Sequence, residues 1–328
     1  MAKTMKTFIS KNKLIKIALL LFLVLMLVRP IETLAGATSG LLLWFEAVLP
    51  NLLPFIIISG LIIRLQITRP IGALFYPFLK HILPVTKEGC YPIFIGFLSG
   101  LPVGAKTSAD MVESKRISLK EGQFLASMCN NASPMFILGY IAMTKIGYPK
   151  IGAFLCIIIY TSSIISTKIC YHFYKDKITS PTESCLETHG PQSYTTIKNN
   201  TLCLEIVDEA ILSGFEVVTK VGGYIILFSV LASIVESFGF LSLFSASILT
   251  GILEITVGIH NISYLAIDLG LKIVLITTIT AFGGLSGLAQ TKSVIGVTGL
   301  SIKFYFITKI LCAFIAFILS SIYVMFFI

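Results

Sequence analysis

The sequence has little charge and almost no long polar stretch. Only 12% of its 328 residues are charged, whereas 55% are hydrophobic, and the apolar runs extend along the whole chain. This composition excludes a soluble globular fold, and no soluble catalytic domain fits between the apolar runs. A helix needs about 20 mostly apolar residues to cross about 30 Å of hydrocarbon, so the length leaves room for roughly eight to ten crossings. The sequence therefore predicts an all-α, polytopic transmembrane protein.

Motifs of metal centres and of common hydrolases are also missing. The seven cysteines include no CxxC pair and no metal-type spacing with histidine, and most of them lie in apolar stretches. The chain contains no HExxH and no GxSxG motif, so an intramembrane enzyme is the least favoured interpretation. We therefore expect no enzymatic activity, no metal and no cofactor.

The positive charges lie where they would set the orientation of the chain in a membrane. The net charge of +9 comes from Lys and Arg in short segments that flank apolar runs, with no basic stripe among aromatics that would predict nucleic-acid binding. Lysines precede the apolar run 17–28, which predicts an uncleaved first helix and a cytoplasmic N-terminus. A signal peptide cleaved near Ala35 is the alternative.

Apolar segments that could span or half-span a membrane follow one another along the chain. They lie at 14–29, 40–64, 70–84, 90–105, 122–144, 150–172, 208–237, 240–263, 265–290 and 301–328. A polar linker at 175–203 divides the chain, which predicts an N-terminal segment with the first helix at 1–39, a first membrane repeat at 40–174 and a second at 204–328.

The two halves carry motifs in the same order. Each has Phe-Glu in an apolar helix, then two Gly-rich or polar segments: GFLSGLPVGAK (96–106) and CNNASPMF (129–136), against GILEITVGIHN (251–261) and FGGLSGLAQ (282–290). A full crossing at 90–105 would place Lys106 and Arg116 opposite Arg64, against the positive-inside tendency, whereas a re-entrant hairpin would not. These patterns predict two repeats of inverted orientation with re-entrant or broken helices. Chance similarity among Gly-rich segments is the alternative.

Glycine and proline interrupt the apolar segments of both halves. Backbone breaks are predicted at Gly100, Pro102, Gly104, Gly283, Gly284 and Gly287. Hydrocarbon cannot hydrogen-bond an open backbone, so such breaks must be buried in protein or line a wet cavity. A helix that restarts there points unpaired N–H groups into the cavity and favours an anion. The alternative is that these glycines only allow close helix packing.

Polar side chains near these breaks are the candidate solute-binding and coupling residues. The predicted substrate-binding residues are Lys106, Asn130, Asn131, Ser133, Ser286 and Gln290. Lys106 could instead reach the membrane surface, and the asparagines could join helices through hydrogen bonds. Glu254 and His260 could carry a coupling proton, with a structural ion pair as the alternative.

Five motifs in order resemble one known family. They are LPNLLPF (49–55), GFLSGLPVGAK (96–106), NNASPMFILG (130–139), GILEITVGI (251–259) and FGGLSGLAQ (282–290), and together they are similar to the YlbJ family of sporulation integral membrane proteins. The resemblance covers roughly 40–328. It implies nucleoside-recognition or gate regions like those of concentrative nucleoside transporters, with inverted repeats and re-entrant hairpins.

The resemblance also implies a function and a location. It implies that dipicolinate, a small anion, moves from the mother cell of an endospore-forming bacterium towards the forespore, across the outer forespore membrane. The expected partners are therefore this anion, membrane lipid and a coupling ion, H⁺ or Na⁺, and the expected effect of Lys106→Ala is loss of transport. A nucleoside or nucleobase transporter and a non-transporting sporulation scaffold are the alternatives.

Overall fold

The computed structural model describes residues 2–65, 67–174, 204–239, 242–296 and 298–328. The regular elements of these residues are all helices. The α-helices are α1 (Ala2–Val28), α2 (Pro30–Leu43), α3 (Leu49–Arg64), α4 (Thr68–Leu79), α5 (Cys90–Ser99), α6 (Val103–Glu113), α7 (Leu119–Met128), α8 (Gly152–Tyr174), α9 (Leu204–Ser237), α10 (Leu243–Leu253), α11 (Ile255–Tyr264), α12 (Leu269–Phe282), α13 (Gly284–Ile295) and α14 (Ile302–Phe327). The all-α prediction is confirmed. The polar linker at 175–203 lies outside the described residues.

Three further helical segments have other windings. Trp44–Val48 and the longer Phe136–Lys145 are π-helical, and Pro149–Ile151 forms one 3₁₀ turn before α8. The first π-helical segment joins α2 to α3 without a break, whereas the second follows the non-helical residues after α7.

Several described helices are long and apolar enough to cross a membrane. They are Pro149–Tyr174, Leu204–Ser237, Leu269–Ile295 and Ile302–Phe327, and a fifth span is formed if Lys16–Val28 and Pro30–Glu46, bent by 104°, count as one. Other predicted segments are shorter apolar helices, such as Cys90–Ser99 and Leu243–Leu253. The described chain therefore has fewer full-length spans than its length allows, because several apolar segments are interrupted.

Two of the interrupted segments are hairpins of short helices. In the first hairpin, α5 and α6 turn back at Gly100–Pro102, and a Cβ built on Gly96 would stand 3.0 Å from the Gly104 Cα. In the second hairpin, α10 and α11 turn back at Glu254, whose backbone is extended with φ −142° and ψ 118°. Glu254 therefore interrupts the apolar segment predicted at 240–263.

Two further segments are interrupted helices. Residues 129–133 are not helical and separate α7 from the helix that begins at Pro134 and continues as the π-helical segment Phe136–Lys145. Proline disfavours a helical backbone at the residue before it, here Ser133. Between α12 and α13 the chain passes through Gly283, which is left-handed at φ +84°. Two helix starts away from these breaks have ordinary side-chain caps, Ser118 for α7 and Asp268 for α12.

The two largest of four apolar clusters form most of the core. One cluster joins α3, α5, α7 and α9 through residues such as Leu52, Tyr91 and Phe124, and the other joins the π-helical segment Phe136–Lys145, α8, α11 and α12 through residues such as Ile137 and Ile259. Helix association in lipid gains little from the hydrophobic effect, so close packing and buried hydrogen bonds hold these elements together. The interrupted segments meet between the two clusters.

Candidate functional site

A cavity of about 620 Å³, counted with the space at its mouth, lies where the four interrupted segments meet. Each break contributes to its wall. The lining residues are Ser99 and Leu101 from the first hairpin, Ala132, Ser133 and Phe136 from the break after α7, Glu254, Ile255 and Thr256 from the second hairpin, Gly283, Gly287 and Gln290 from the break before α13, and Val48, Leu52 and Ile225 from the helices outside.

Direct contacts between the breaks hold this arrangement. Gly100 lies against Ser133, whose backbone nitrogen would stand 2.7 Å from a Cβ at position 100, and its φ of +84° suits only glycine. Leu101, at the tip of the first hairpin, contacts Gly287. On the other side, the Tyr140 hydroxyl donates to the Thr256 carbonyl at 3.1 Å. The first hairpin therefore meets the breaks after α7 and before α13, and the second hairpin is bonded to the π-helical segment.

Glu254 is the ionisable side chain in the cavity wall. It is buried at 2% exposure, and one carboxylate oxygen accepts from the backbone N–H of Thr256 at 2.8 Å and of Val257 at 2.9 Å. The carboxylate thus caps the start of α11, where the helix dipole favours a negative charge. Its charge is directed to its own helix rather than into open space.

The start of α13 has no such cap. Gly283 precedes it without a side-chain cap hydrogen bond, and both Gly283 and Gly287 line the cavity. Gln290, one turn after Gly287, is bonded through its amide nitrogen to the Ser286 hydroxyl at 3.0 Å. The first backbone N–H groups of α13 and the Gln290 amide are therefore the main polar groups that the second half presents to the cavity.

The first half contributes two hydroxyl groups. Ser133 uses its oxygen to accept from the Phe136 N–H at 3.2 Å and so caps the π-helical segment. The Ser99 hydroxyl, buried at 2% exposure, has no hydrogen-bond partner among the described residues. Because buried hydroxyls are normally bonded, Ser99 is a polar group left for a ligand or water. Phe136 adds an aromatic surface beside them.

Asn130 and Asn131 lie behind the cavity wall rather than in it. Asn130 accepts from the Ala105 N–H at 3.3 Å and donates to Thr291 at 2.8 Å and to the Tyr305 hydroxyl at 3.0 Å. Asn131 donates to the Met128 carbonyl at 2.7 Å. The asparagines thus join α6, α7, α13 and α14, which agrees with the alternative of hydrogen bonding between helices.

Lys106 lies away from this cavity. It forms an ion pair with Asp110 at 3.0 Å, and both residues line a second, smaller cavity of about 340 Å³ together with Arg64 and Thr107. The structure therefore does not bring Lys106 together with the polar groups of the first cavity.

His260 is also remote from the main cavity. It is exposed, and its Nδ1 lies 2.7 Å from the Lys145 Nζ. Glu254 and His260, predicted together as coupling residues, therefore lie in different environments. Among the described residues, no three His, Cys, Asp or Glu side chains are grouped so as to hold a metal ion.

Of the predicted backbone breaks, Gly104 lies inside α6 and Gly287 inside α13, so the helix continues through both. Gly283 and Gly287 line the cavity, Gly100 and Pro102 form the turn of the first hairpin, and Gly284 packs against Ile255. A Cβ at Gly104 would overlap the Cys129 carbonyl, so that glycine allows close helix packing. Ser286 supports Gln290 rather than lining the cavity itself.

Two polar residues of the site region were missed from the sequence. Ser99 lines the cavity, and Lys309 is buried on α14 beside Asn131. Ser99 immediately precedes the Gly-Leu-Pro break, and Lys309 is a cation inside a span of 26 residues. A search for charges inside full-length spans would have found Lys309, because such charges are rare and mark function.

Comparison with known proteins gives one informative relative. The chain is 30% identical over 326 residues to the sporulation integral membrane protein YlbJ of Bacillus subtilis (strain 168), an alignment that covers 92% of this chain and 80% of the relative. No family model matches the chain. No solved structure matches it either.

Proposed function

This chain belongs to the family of the sporulation integral membrane protein YlbJ, and from that premise we propose that it transports a small anionic solute through the cavity between its broken helices. It is an integral membrane protein with several apolar spans. The solute that we propose is dipicolinate, moved from the mother cell towards the forespore across the outer forespore membrane. We propose transport rather than catalysis, with the N-terminus in the cytoplasm.

The observation that carries this proposal is the convergence of four interrupted segments on one cavity. Secondary transporters build solute sites near the bilayer midplane from discontinuous helices whose N-termini face the solute. Here two short-helix hairpins alternate with two interrupted helices along the chain. We propose that α5 to α8 and α10 to α14 are two inverted repeats, and that the hairpins are re-entrant.

The caps of the four helix starts support an anion at one place in the cavity. Asn130 bonds the start of α6, Ser133 that of the π-helical segment and Glu254 that of α11, whereas α13 receives no side-chain cap. A carboxylate of the solute would accept from the first N–H groups of α13, where the helix dipole favours it. Phe136 would pack against the flat ring of an aromatic solute.

A nucleoside or nucleobase is the second candidate solute. The cavity lining contains one carboxylate, Glu254, and one amide, Gln290, but no lysine or arginine. Carboxylate and amide groups suit the hydroxyl and ring N–H groups of a neutral solute, and a neutral solute needs no cation. This observation makes uridine the necessary parallel substrate.

The test is uptake of labelled dipicolinate into proteoliposomes that contain the purified protein, with labelled uridine in parallel and an imposed proton or sodium gradient. We expect saturable dipicolinate uptake that depends on one gradient. Uridine uptake alone would reassign the solute. Uptake of neither solute by folded, inserted protein would contradict both transport proposals and favour a scaffold.

Two variants test whether the cavity is the path. Gln290→Leu removes an amide from the lining, and we expect uptake to fall by about tenfold, since a buried polar contact contributes about 1.4 kcal/mol or more. Lys106→Ala is the control, because the Lys106–Asp110 pair lies outside the lining, and we expect a change of less than about twofold. A larger loss with Lys106→Ala than with Gln290→Leu would move the site to the second cavity.

A further inference from the structure

Lys309 carries a cationic group in the interior of the helix bundle. It lies on α14, about two turns after the helix begins, and its side chain is 2% exposed. Its Nζ donates to the Asn131 Oδ1 at 2.7 Å and stands 5.6 Å from the centre of the Tyr305 ring. Among the described residues, no Asp or Glu forms an ion pair with Lys309.

The groups around Lys309 are neutral or weakly acidic. The thiols of Cys129 and Cys312 lie near it, and on α8 the Ser163 and Ser166 hydroxyls donate to the Met128 and Ser163 carbonyls. The hydroxyl of Thr308, the residue before Lys309, donates to the Phe304 carbonyl. The cations on the neighbouring helices lie elsewhere: Lys168 and Lys292 are exposed, and Lys272 donates to the Ser263 carbonyl. The carboxylates on these helices also lie elsewhere, since Glu121 of α7 accepts from Thr86 and Asp268 caps α12. Among the described residues, no carboxylate therefore balances a charge on Lys309.

A permanent ammonium at this place would be costly. Burial of an unpaired charge costs several kcal/mol, even after relaxation of the protein. A lysine can avoid that cost because it can release its proton, which an arginine cannot. If Lys309 only supported Asn131, a neutral hydrogen-bond donor would serve equally well. The property that distinguishes a lysine at this place is its ability to change charge.

Lys309 is connected to the cavity through one short segment of chain. Its acceptor Asn131 is followed directly by Ala132 and Ser133, which line the cavity. The preceding residue, Asn130, holds the start of α6 and bonds α13 and α14. A change of charge on Lys309 would therefore act on the segment that shapes the cavity wall and on the first hairpin.

We propose that Lys309 carries the coupling proton of the transporter, an inference that rests on the proposed transport function. The amine accepts a proton from hydronium and becomes an ammonium, and it returns the proton to water when the cavity faces the other side. The ammonium donates a charge-assisted hydrogen bond to Asn131, which is stronger than that of the amine. Its charge also attracts an anion in the cavity, since Coulomb interactions are strong in a medium of low dielectric.

The first test measures coupling in proteoliposomes with the membrane potential held at zero and a proton gradient imposed. A gradient of about one pH unit supports about tenfold accumulation per proton. We expect the native protein to accumulate dipicolinate, and we expect Lys309→Met to equilibrate it without accumulation. Lys309→Arg keeps the charge without releasing a proton, so it should bind dipicolinate but not accumulate it.

Lys303→Met is the matched control on the same helix. Lys303 is exposed on α14, and its loss should leave proton-driven accumulation unchanged. Accumulation by Lys309→Met equal to that of the native protein would overturn the role of Lys309 while leaving the transport function intact. The same loss in Lys303→Met would show that α14 is merely sensitive to loss of charge, and would also overturn it.

A second test does not depend on the solute. The purified protein is labelled with ¹³C at the lysine ε-carbons, and the resonance that Lys309→Arg lacks is followed by NMR across the neutral pH range. We expect this resonance to move as the amine gains a proton. A resonance that stays fixed would overturn the proposal, whichever solute is transported. Failure of transport together with a moving resonance would instead contradict the proposed function alone.

Discussion

The second helix of each short-helix hairpin is capped in a different way. The second helix of the first hairpin, α6, begins with an N–H that is bonded by Asn130, a residue from another segment. The second helix of the second hairpin, α11, is capped by Glu254, which belongs to the hairpin itself. The first hairpin is therefore tied to α13 and α14 through Asn130, whereas the second hairpin keeps its cap wherever it moves.

This difference gives the two hairpins different costs of separation from the rest of the fold. A helix start that depends on a distant side chain loses its cap when the two elements separate, which costs roughly 0.5–2 kcal/mol. A self-capped hairpin avoids that cost. We therefore infer that α10 and α11 form the element that opens the cavity, while α5 and α6 stay with the rest of the fold.

The largest loss of stability is expected from removal of the Asn130 side chain, which bonds α6, α13 and α14. Asn130→Leu leaves the Ala105 N–H without its acceptor and takes one partner each from Thr291 and Tyr305. We expect the free energy of unfolding to fall by about 3 kcal/mol or more, since each unsatisfied buried group costs about 1–3 kcal/mol. Thermal or denaturant unfolding in detergent measures this loss.

Asn130→Asp tests the cap of α6 separately from the bonds to Thr291 and Tyr305. Aspartate keeps an acceptor for the Ala105 N–H but has no amide to donate to Thr291 and Tyr305. If Asn130→Leu unfolds at the same denaturant concentration as the native protein, the first hairpin is not held in the way that we infer.

A smaller loss of stability is expected from the self-capped hairpin. Glu254→Ala removes the cap of α11, which should lower the free energy of unfolding by about 1–2 kcal/mol. Because the same hairpin is the inferred moving element, the uptake rate should fall by more than the loss of folded protein accounts for. Parallel unfolding and uptake measurements on inserted protein check both effects.

Glu254→Gln is the control for charge. It keeps one oxygen as an acceptor for the Thr256 and Val257 N–H groups and should retain most of the stability. Equal stability losses in Asn130→Leu and Glu254→Ala would remove the distinction between the two hairpins.

A loss of stability of similar size is expected from a change in the close packing of the first hairpin. Gly104→Ala adds a methyl group that overlaps the Cys129 carbonyl, and such overpacking costs about 1–3 kcal/mol. Gly223→Ala is the matched control, since a Cβ there has no neighbour within 4 Å and alanine favours the helix. A Gly104→Ala protein as stable as Gly223→Ala would mean that the first hairpin can shift easily.

The breaks could be predicted from the sequence because their signals are local. Glycine and proline disfavour the helical backbone, and the interruptions at Gly100–Pro102, near Pro134 and at Gly283 coincide with these residues, although Pro54 and Pro77 lie inside helices. The break at Glu254 was missed because nothing in Leu-Glu-Ile disfavours a helix. There the extended backbone is held by the carboxylate and by the packing around it.

The roles of the polar residues could not be predicted in the same way. Lys106 and Lys309 have the same chemistry, and the sequence placed only Lys106 near a break. Burial separates them: Lys106 pairs with Asp110, whereas Lys309 lies inside the bundle against Asn131. The depth of a side chain inside the bundle depends on how the helices pack, which a single sequence does not give. The pairing of Asn130 with Thr291 and Tyr305 joins residues far apart in the chain for the same reason.

The π-helical winding of Phe136–Lys145 has a mechanical consequence. Its hydrogen bonds span one residue more than those of an α-helix, so the segment holds surplus chain. Each residue that returns to α-helical winding turns the residues beyond it about the helix axis and draws them along it. Tyr140, which bonds the second hairpin at Thr256, lies within this segment. Rotation of this segment would move Tyr140 and, through its hydrogen bond, the second hairpin. The cavity would then open without a bend in any long helix.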